Sequence, residues 1–288
     1  MVTAKASNEP GEAHLTQGVI RYQDEGDGPV LLFVHGLLAN GTLWREVVEP
    51  LSRRFQCVVP VLPLGGHSVP VDPEADLTPP GIARIVADLL AALDLRDVTL
   101  IGNDTGGAIC QIVIANHPER IGRLILTNCD AYEAFFPLLL RPFGFGARLF
   151  GERFTGALAV ALRHRPAQRL LLWAVTKHRM DEATLDAYFA SFVRNPGVQR
   201  DTARFLAAVS NRYTLEAARS FPSFRRPVLL GWGTDDFVFR PRLAHRLQRD
   251  FACAQLEFVS GSRAFVPVDK PAELVSRITR FMEAERNA

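Results

Sequence analysis

The chain contains 288 residues, 48% of them hydrophobic, and can therefore bury the large core of an α/β domain. A formal net charge of only +2 at pH 7 provides no strong basic field, so we expect no nucleic acid partner. The first dozen residues are small and polar, unlike a signal peptide, and no apolar run could span a bilayer; we expect a cytoplasmic protein without a membrane partner.

Short apolar runs alternate with helical patterns along much of the chain. Such runs are typical of strands that are buried on both faces between layers of helices. The predicted strands cover residues 30–34, 57–62, 98–102, 124–127, 227–231 and 255–260. Strands that alternate with helices indicate βαβ units, and so a mostly parallel central sheet with helices on both faces.

The clearest predicted helix lies between the second and third strands. Thr78 can cap it, Pro79 and Pro80 suit its first turn, and apolar residues recur at helical spacing over residues 82–93. Similar patterns predict a helix between the last two strands and another after Pro271.

The sheet pattern is interrupted between residues 131 and 222. This region holds many large apolar residues and several helical patterns, but no clear strand. An insertion of this kind usually covers the strand ends as a cap above a pocket. We therefore predict a core formed by residues 1–130 and 223–288 and a helical cap formed by residues 131–222. The alternative is a purely structural helical subdomain.

Four cysteines occur at wide spacings among apolar residues: Cys57, Cys110, Cys129 and Cys253. This spacing differs from that of metal-ligand clusters, and a chain without a signal peptide is expected to keep its thiols reduced. We therefore predict buried free thiols and no metal site.

The segment Gly102-Asn103-Asp104-Thr105-Gly106 follows the third predicted strand and begins the next helix. Small residues around a central side chain are typical of the sharp strand–turn–helix junction that exposes a nucleophile above a parallel sheet. A carboxylate there also lies at the positive end of the helix, which favours its charge. The alternative role of Asp104 is that of a helix cap.

Three other segments agree with a nucleophile at Asp104. His35-Gly36 ends the first strand, residues 64–68 form a glycine-containing loop after the second, and residues 231–236 end a late strand, where an orienting acid belongs. Together these segments resemble the α/β-hydrolase superfamily over about residues 17–283. Within it, the Asp nucleophile is similar to that of the haloalkane dehalogenase and epoxide hydrolase branch.

The resemblance implies a role for each matched residue at the turn. Asp104 would be the nucleophile that attacks a saturated carbon and forms an alkyl ester. The backbone amides of Leu37 and Thr105 would form the oxyanion hole.

The resemblance also implies an acid and a histidine base. Asp236 would be the acid, with the neighbouring Asp235 and the more distant Asp130 as alternatives. The base position holds Ala264 instead of histidine, and no histidine follows it in the chain. Because alanine cannot take a proton, hydrolysis of an ester at Asp104 should be slow. His67 is an alternative base, although we expect a structural role for it.

Further markers of the branch are replaced. Leu38 stands where epoxide hydrolases show proline, and Thr105 and Leu37 stand where dehalogenases hold the halide. Tyr188 and Tyr213 lie in the predicted cap and are the candidates for activating an epoxide. The alternative is that both tyrosines belong to the core or the surface.

Three functions agree with these features. The first is a hydrolase-like enzyme that uses Asp104 on a small or medium apolar substrate (an alkyl halide, epoxide or ester) and is impaired by Ala264. The second is a lyase or isomerase in which Asp104 transfers a proton, since a shielded carboxylate has a raised pKa. The third is a non-catalytic ligand-binding protein. The expected partner is a small apolar molecule, without a metal or an organic cofactor.

Overall fold

A mostly parallel sheet forms the centre of the computed structural model, which describes residues 10–286. The first nine residues of the predicted core lie outside this range. The eight strands of the described residues are β1 (Gly11–Leu15), β2 (Gly18–Glu25), β3 (Val30–Val34), β4 (Gln56–Pro60), β5 (Val98–Asp104), β6 (Ile121–Cys129), β7 (Val228–Gly233) and β8 (Ala254–Val259).

The strand order is β1-β2-β4-β3-β5-β6-β7-β8, and the six strands from β3 to β8 are parallel. These are the six strands predicted from apolar runs, so the predicted mostly parallel sheet is confirmed. β1 and β2 pair antiparallel at one edge and lie outside that prediction. Most of their residues are exposed or half-buried, and they therefore lack a continuous apolar run.

Helices cover both faces of the sheet. α3 packs against both α2 and α9, and α1, α11 and α12 pack against one another in a separate group. The helices of the described chain are α1 (Arg45–Leu51), α2 (Pro79–Ala92), α3 (Thr105–Asn116), α4 (Arg141–Phe150), α5 (Glu152–Ala161), α6 (Arg165–Trp173), α7 (Glu182–Arg194), α8 (Pro196–Ala208), α9 (Asn211–Ala218), α10 (Pro241–Asp250), α11 (Val266–Asp269) and α12 (Pro271–Arg286).

The start of α2 agrees with its prediction. The Thr78 hydroxyl accepts a hydrogen bond from the Gly81 amide at 3.2 Å, and prolines occupy the first turn. The amphipathic face of α2 is buried through Ile82, Ile85 and Leu89. The local sequence and the tertiary packing therefore specify the same helix.

Between β6 and β7 the described chain contains helices and no strand. α4 and α5 both pack against α8, whereas α9 packs against α3 of the core. The helical region is tied to the core by the Phe265 amide, which donates to the Val175 carbonyl at 2.7 Å, and by Asn40, whose amide group donates to the Ala187 carbonyl at 2.6 Å. The domain boundaries at residues 130 and 223 stay a prediction.

None of the described helices combines the length and the apolar composition that crossing a bilayer requires.

Three of the four predicted buried thiols are buried: those of Cys57, Cys110 and Cys129. The prediction is wrong for Cys253, which is exposed. Cys253 lies in the turn between α10 and β8, where its neighbours do not cover it. Its apolar sequence context is therefore no sign of burial.

The junction of β5 and α3 generates a test of packing. A Cβ atom on Gly106 would lie 2.5 Å from the His35 carbonyl oxygen, and backbone atoms cannot yield. We expect Gly106→Ala to lower the free energy of unfolding by about 1–3 kcal/mol, as overpacking does. Urea unfolding followed by circular dichroism measures this change.

Gly156→Ala is the matched control. Gly156 lies inside α5, and the nearest atom to its added Cβ would be 3.8 Å away. We expect this variant to gain about 0.5–1 kcal/mol, because alanine loses less backbone entropy in a helix. Equal effects of the two substitutions would contradict the tight junction.

Candidate active site

Asp104 occupies a strained position at the centre of the sheet. It is the last residue of β5 and directly precedes α3, with φ of 54° and ψ of −134°. A non-glycine residue in this region costs of order 1–3 kcal/mol unless its surroundings enforce it. This is the conformation that directs a side chain out of a parallel sheet at a strand–helix junction.

Two glycines allow the sharp turn on either side of Asp104. A Cβ on Gly102 would lie 2.7 Å from the Cα of Gly107, and one on Gly106 would clash with the carbonyl oxygens of Val34 and His35. The first turn of α3 is therefore pressed directly against the end of β3. Only residues without a side chain permit this contact.

The Asp104 carboxylate lies against the loop that follows β3. A Cβ on Gly36 would overlap its Oδ2 oxygen. The backbone amides of Thr105 and Leu37 both stabilise the charged form of Asp104. The two amides predicted as an oxyanion hole thus converge on the carboxylate itself.

Burial nevertheless raises the pKa of Asp104, to about 7. The amide of Thr105 opposes this effect, the charge of Asp236 adds to it, and the amide of Leu37 opposes it. The Oδ1 oxygen is buried and has no hydrogen-bond partner among residues 10–286. The two amides therefore favour the charged carboxylate, while its Oδ1 oxygen makes no hydrogen bond within the described chain.

Asp236 is a fixed carboxylate on the loop after β7. Its Oδ1 accepts from the amides of Val238 at 2.7 Å and Phe239 at 3.2 Å, and its Oδ2 accepts from the Asn128 side chain at 2.7 Å. Burial raises its pKa to about 6 in spite of these bonds. Its charge acts on Asp104, so the structure brings the two predicted residues together.

Asp130, predicted as the more distant alternative acid, lies close to Asp104. It directly follows β6, which pairs with β5, and its Oδ2 accepts from the Thr105 hydroxyl at 3.1 Å. Burial and then the charge of Asp104 raise its pKa well above the usual range. The pairing of neighbouring strands was the signal that would have placed it at the site.

Asp235 lies outside the site. Its carboxylate pairs with the Lys177 ammonium at 2.6 Å on the surface, and this bond lowers its pKa. The structure therefore separates the two adjacent aspartates, and only Asp236 belongs to the buried group.

Ala264 is fully buried on the loop between β8 and α11. Its carbonyl accepts from the Asn103 side chain at 2.7 Å, and the same amide group donates to the Thr127 hydroxyl at 2.8 Å. Asn103 immediately precedes Asp104, so the loop that carries Ala264 is bound to the strand–helix junction at Asp104, which we call the elbow. The hydrogen bond between Asn103 and Ala264 joins residues 161 positions apart and could not be predicted from the sequence.

The two buried histidines near the loops have structural partners. His35 accepts from the Leu62 amide through Nε2 at 2.9 Å, which leaves Nδ1 to donate to the Gly36 carbonyl. Burial lowers its pKa to about 4, so it stays neutral. Among the described residues, no histidine hydrogen-bonds to Asp104.

His67 joins its loop to the helical region. Its Nδ1 accepts from the Gly65 amide at 3.3 Å, and its Nε2 therefore donates to Asp201 of α8 at 3.2 Å. Both ring nitrogens are occupied, which agrees with the expected structural role.

A cavity of about 470 Å³ opens above Asp104, a volume typical of small-molecule sites. Its wall is almost entirely apolar and comes mainly from the helical region. Prominent contributors are Leu37, Leu140, Phe143, Leu162, Leu171, Phe189, Val238 and Phe265. An apolar ligand would fit this wall, with the carboxylate at its base.

Tyr188 is the tyrosine that reaches the cavity. It lines the wall, and its hydroxyl is buried without a hydrogen-bond partner in the described chain. Burial raises its pKa, so the hydroxyl keeps its proton. Tyr213 does not line this cavity; its hydroxyl accepts from Arg212 at 2.5 Å. The site therefore offers a carboxylate and one hydroxyl donor.

Comparison with known proteins agrees with this architecture. The model of the family described as alpha/beta hydrolase fold matches residues 29–271. A solved structure of an epoxide hydrolase superposes with a TM-score of 0.80 at 18% identity, covering 96% of this chain and 99% of that one. The predicted fold class is confirmed.

Two curated relatives carry more specific names. Haloalkane dehalogenase 2 of Mycobacterium tuberculosis is 27% identical, over 91% of each chain. The cis-3-alkyl-4-alkyloxetan-2-one decarboxylase of Xanthomonas campestris is 28% identical, also over 91% of each chain.

The raised pKa of Asp104 predicts how stability changes with pH. A folded-state pKa above the unfolded value stabilises the fold below the unfolded pKa, and this contribution is lost as the pH rises through the folded pKa. At pH 8, Asp104→Asn should therefore be more stable than the original chain by at least about 1.4 kcal/mol, the equivalent of one pKa unit. The gain should disappear near pH 4 in thermal unfolding.

Asp201→Asn is the control with the opposite sign. Burial acts to raise the pKa of Asp201, but hydrogen bonds from His67, the Val71 amide and Arg200 outweigh it and lower the pKa. This variant should lose stability at pH 8, and the loss should shrink as the pH falls. A destabilised Asp104→Asn at pH 8 would refute the assignment of a strained, buried charge.

Proposed function

The chain belongs to the alpha/beta hydrolase fold family, and on this premise we propose that it is an enzyme whose Asp104 attacks a saturated carbon of an apolar substrate. The observation that carries the proposal is the Asp104 carboxylate, which lines an apolar cavity and whose Oδ1 oxygen is buried without a hydrogen-bond partner within the described chain. A desolvated carboxylate oxygen is a stronger nucleophile than a hydrated one.

The first step forms an alkyl ester. One oxygen of the Asp104 carboxylate forms a bond to the substrate carbon, while the bond from that carbon to the leaving group breaks and the leaving group takes the electron pair. The amides of Leu37 and Thr105 favour the charged form of this carboxylate. Tyr188 lines the same cavity, and its unpartnered hydroxyl would turn to donate a hydrogen bond to the leaving group.

The second step is where Ala264 matters. In the branch that the chain resembles, a histidine activates the water that hydrolyses the ester. Ala264 occupies that position by sequence, and no described histidine bonds to Asp104. We propose that the ester therefore persists, since loss of a general base costs about 10²–10⁴-fold in rate.

The substrate class follows from the cavity and from the relatives. A wall of leucine, valine and phenylalanine side chains favours an alkyl chain over a polar molecule. Relatives named haloalkane dehalogenase and a structural neighbour named epoxide hydrolase support alkyl halides and epoxides as electrophiles.

Intact-protein mass spectrometry tests the ester directly. Incubation with 1-bromohexane or 1,2-epoxyhexane should increase the mass by one alkyl or hydroxyalkyl group, and Asp104→Asn should show no increase. In Ala264→His the adduct should form and then decay, because the base is restored.

Tyrosine variants give the matched control. Tyr188→Phe should slow adduct formation by about tenfold, the equivalent of one hydrogen bond worth ~1.4 kcal/mol, whereas Tyr213→Phe should leave it unchanged. An adduct that forms equally in Asp104→Asn would reject Asp104 as the nucleophile.

A lyase is the second candidate. It is favoured because no histidine in the described chain bonds to Asp104 to activate water. Opening of a dialkyl oxetan-2-one to an alkene and carbon dioxide breaks one ring carbon–oxygen bond and one carbon–carbon bond. No water enters, and no proton is gained overall. The relative named cis-3-alkyl-4-alkyloxetan-2-one decarboxylase supports this class of reaction.

Product analysis distinguishes the two candidates. With a cis-3,4-dialkyloxetan-2-one as substrate, a lyase should release alkene and carbon dioxide in equal amounts, and Asp104→Asn should release neither. A hydrolase should release the 3-hydroxy acid instead. Tight binding without any product or adduct would favour a ligand-binding protein over both.

A further inference from the structure

The outer surface of the helical region is unusually apolar. We call residues 138–173, which include α4, α5 and α6, the cap face. Eight of the ten large hydrophobic side chains that are exposed in the described chain belong to it. Leu138, Phe145 and Leu170 are the most exposed, at 79%, 68% and 71%. Such a concentration marks an interaction surface, since scattered exposed residues are the norm.

The same segment is strongly basic. It contains one carboxylate, Glu152, and six arginines, for a formal charge of +5. The whole chain carries only +2, so the remainder is net acidic. Arg141, Arg153 and Arg163 are exposed and have no ion-pair partner within residues 10–286. The arginines are Arg141, Arg148, Arg153, Arg163, Arg165 and Arg169.

Exposed apolar side chains of the cap face also line the cavity. Leu139, Leu170 and Trp173 line the cavity and are also more than half exposed. Arg141 and Phe145 follow Leu139 closely in the chain, and they border a separate surface hollow. The entrance to the cavity is therefore set within the exposed apolar surface.

We propose that the cap face binds an anionic lipid surface, with the cavity mouth turned toward the hydrocarbon. Leucine, phenylalanine and tryptophan side chains on a basic helical surface are the composition of interfacial membrane binding. The arginines would pair with anionic headgroups, and the apolar side chains would enter the acyl boundary. An apolar substrate dissolved in the lipid would then enter the cavity without crossing water.

A second copy of the chain is the less suitable occupant. Arg165 and Arg169 are paired with carboxylates of α7, but a symmetric dimer would still bring Arg141, Arg153 and Arg163 against the same arginines of the second copy. Like charges across an interface oppose association. An anionic lipid surface satisfies both the apolar and the basic groups.

The proposal departs from the expectation of no membrane partner, which rested on the absence of a spanning segment. Binding at the surface of a bilayer needs no such segment. It is also independent of the chemistry at Asp104, because no residue of the elbow takes part in it.

Vesicle flotation tests the proposal with the full chain. The protein should float with vesicles of phosphatidylcholine and phosphatidylglycerol, and bind much less to phosphatidylcholine alone. Added salt should weaken the binding, because it screens the arginines. Equal binding to both vesicle types, or to neither, would overturn the proposal.

Charge variants locate the binding. Arg141→Gln with Arg163→Gln should weaken the vesicle affinity by about 25-fold, at roughly fivefold for each arginine near an anionic surface. The matched control is Arg53→Gln with Arg225→Gln, two exposed arginines shortly before β4 and β7, at the strand ends opposite to Asp104, which should leave the affinity unchanged. Equal losses in both pairs would show a bulk charge effect and reject the cap face.

Apolar variants complete the test. Phe145→Ser with Leu149→Ser should weaken flotation, whereas Phe258→Ser, at an exposed apolar residue of β8, should not. Asp104→Asn should bind vesicles as the original chain does, so a failure of the proposed chemistry stays separate from a failure of lipid binding. A cap-face dimer in gel filtration, without flotation, would favour the second copy instead.

Discussion

The contact between the first turn of α3 and the end of β3 is the constraint on which the site depends. Gly106 lies so close to the carbonyls of Val34 and His35 that the chain must turn sharply at Asp104. The turn places the amide of Thr105 beside the carboxylate, and the loop after β3 brings the amide of Leu37 to the same group. A looser junction would separate these groups.

Three buried carboxylates of the site, those of Asp104, Asp130 and Asp236, have raised pKa values, chiefly because burial disfavours their charge. They differ in how their oxygens are satisfied. Asp236 has a partner for each oxygen, whereas Asp104 and Asp130 each keep one oxygen unpartnered in the described chain. Asp236 is thus fixed by hydrogen bonds, whereas Asp104, which lines the cavity, keeps one oxygen without a hydrogen bond in the described chain.

Much of the fold could be predicted, because continuous apolar runs identify strands buried on both faces. β1 and β2 escaped prediction because edge strands are half-exposed and carry no such run. The glycines around Asp104 predicted the elbow, since a tight turn restricts local residue types. The closeness of Asp130 depends on the pairing of β5 with β6, and its distance along the chain concealed it. The difference between Asp235 and Asp236 likewise depends on tertiary partners that adjacent residues do not share.

The loop at Ala264 is held by its backbone. Asn103 binds the Ala264 carbonyl, and the Phe265 amide binds the carbonyl of Val175, so neither anchor uses the side chain at position 264. The backbone thus fixes the path of this loop, while burial restricts position 264 to a side chain that fits the core. A fold of this kind can persist whether or not its site turns over a substrate, so cellular abundance carries no information about turnover.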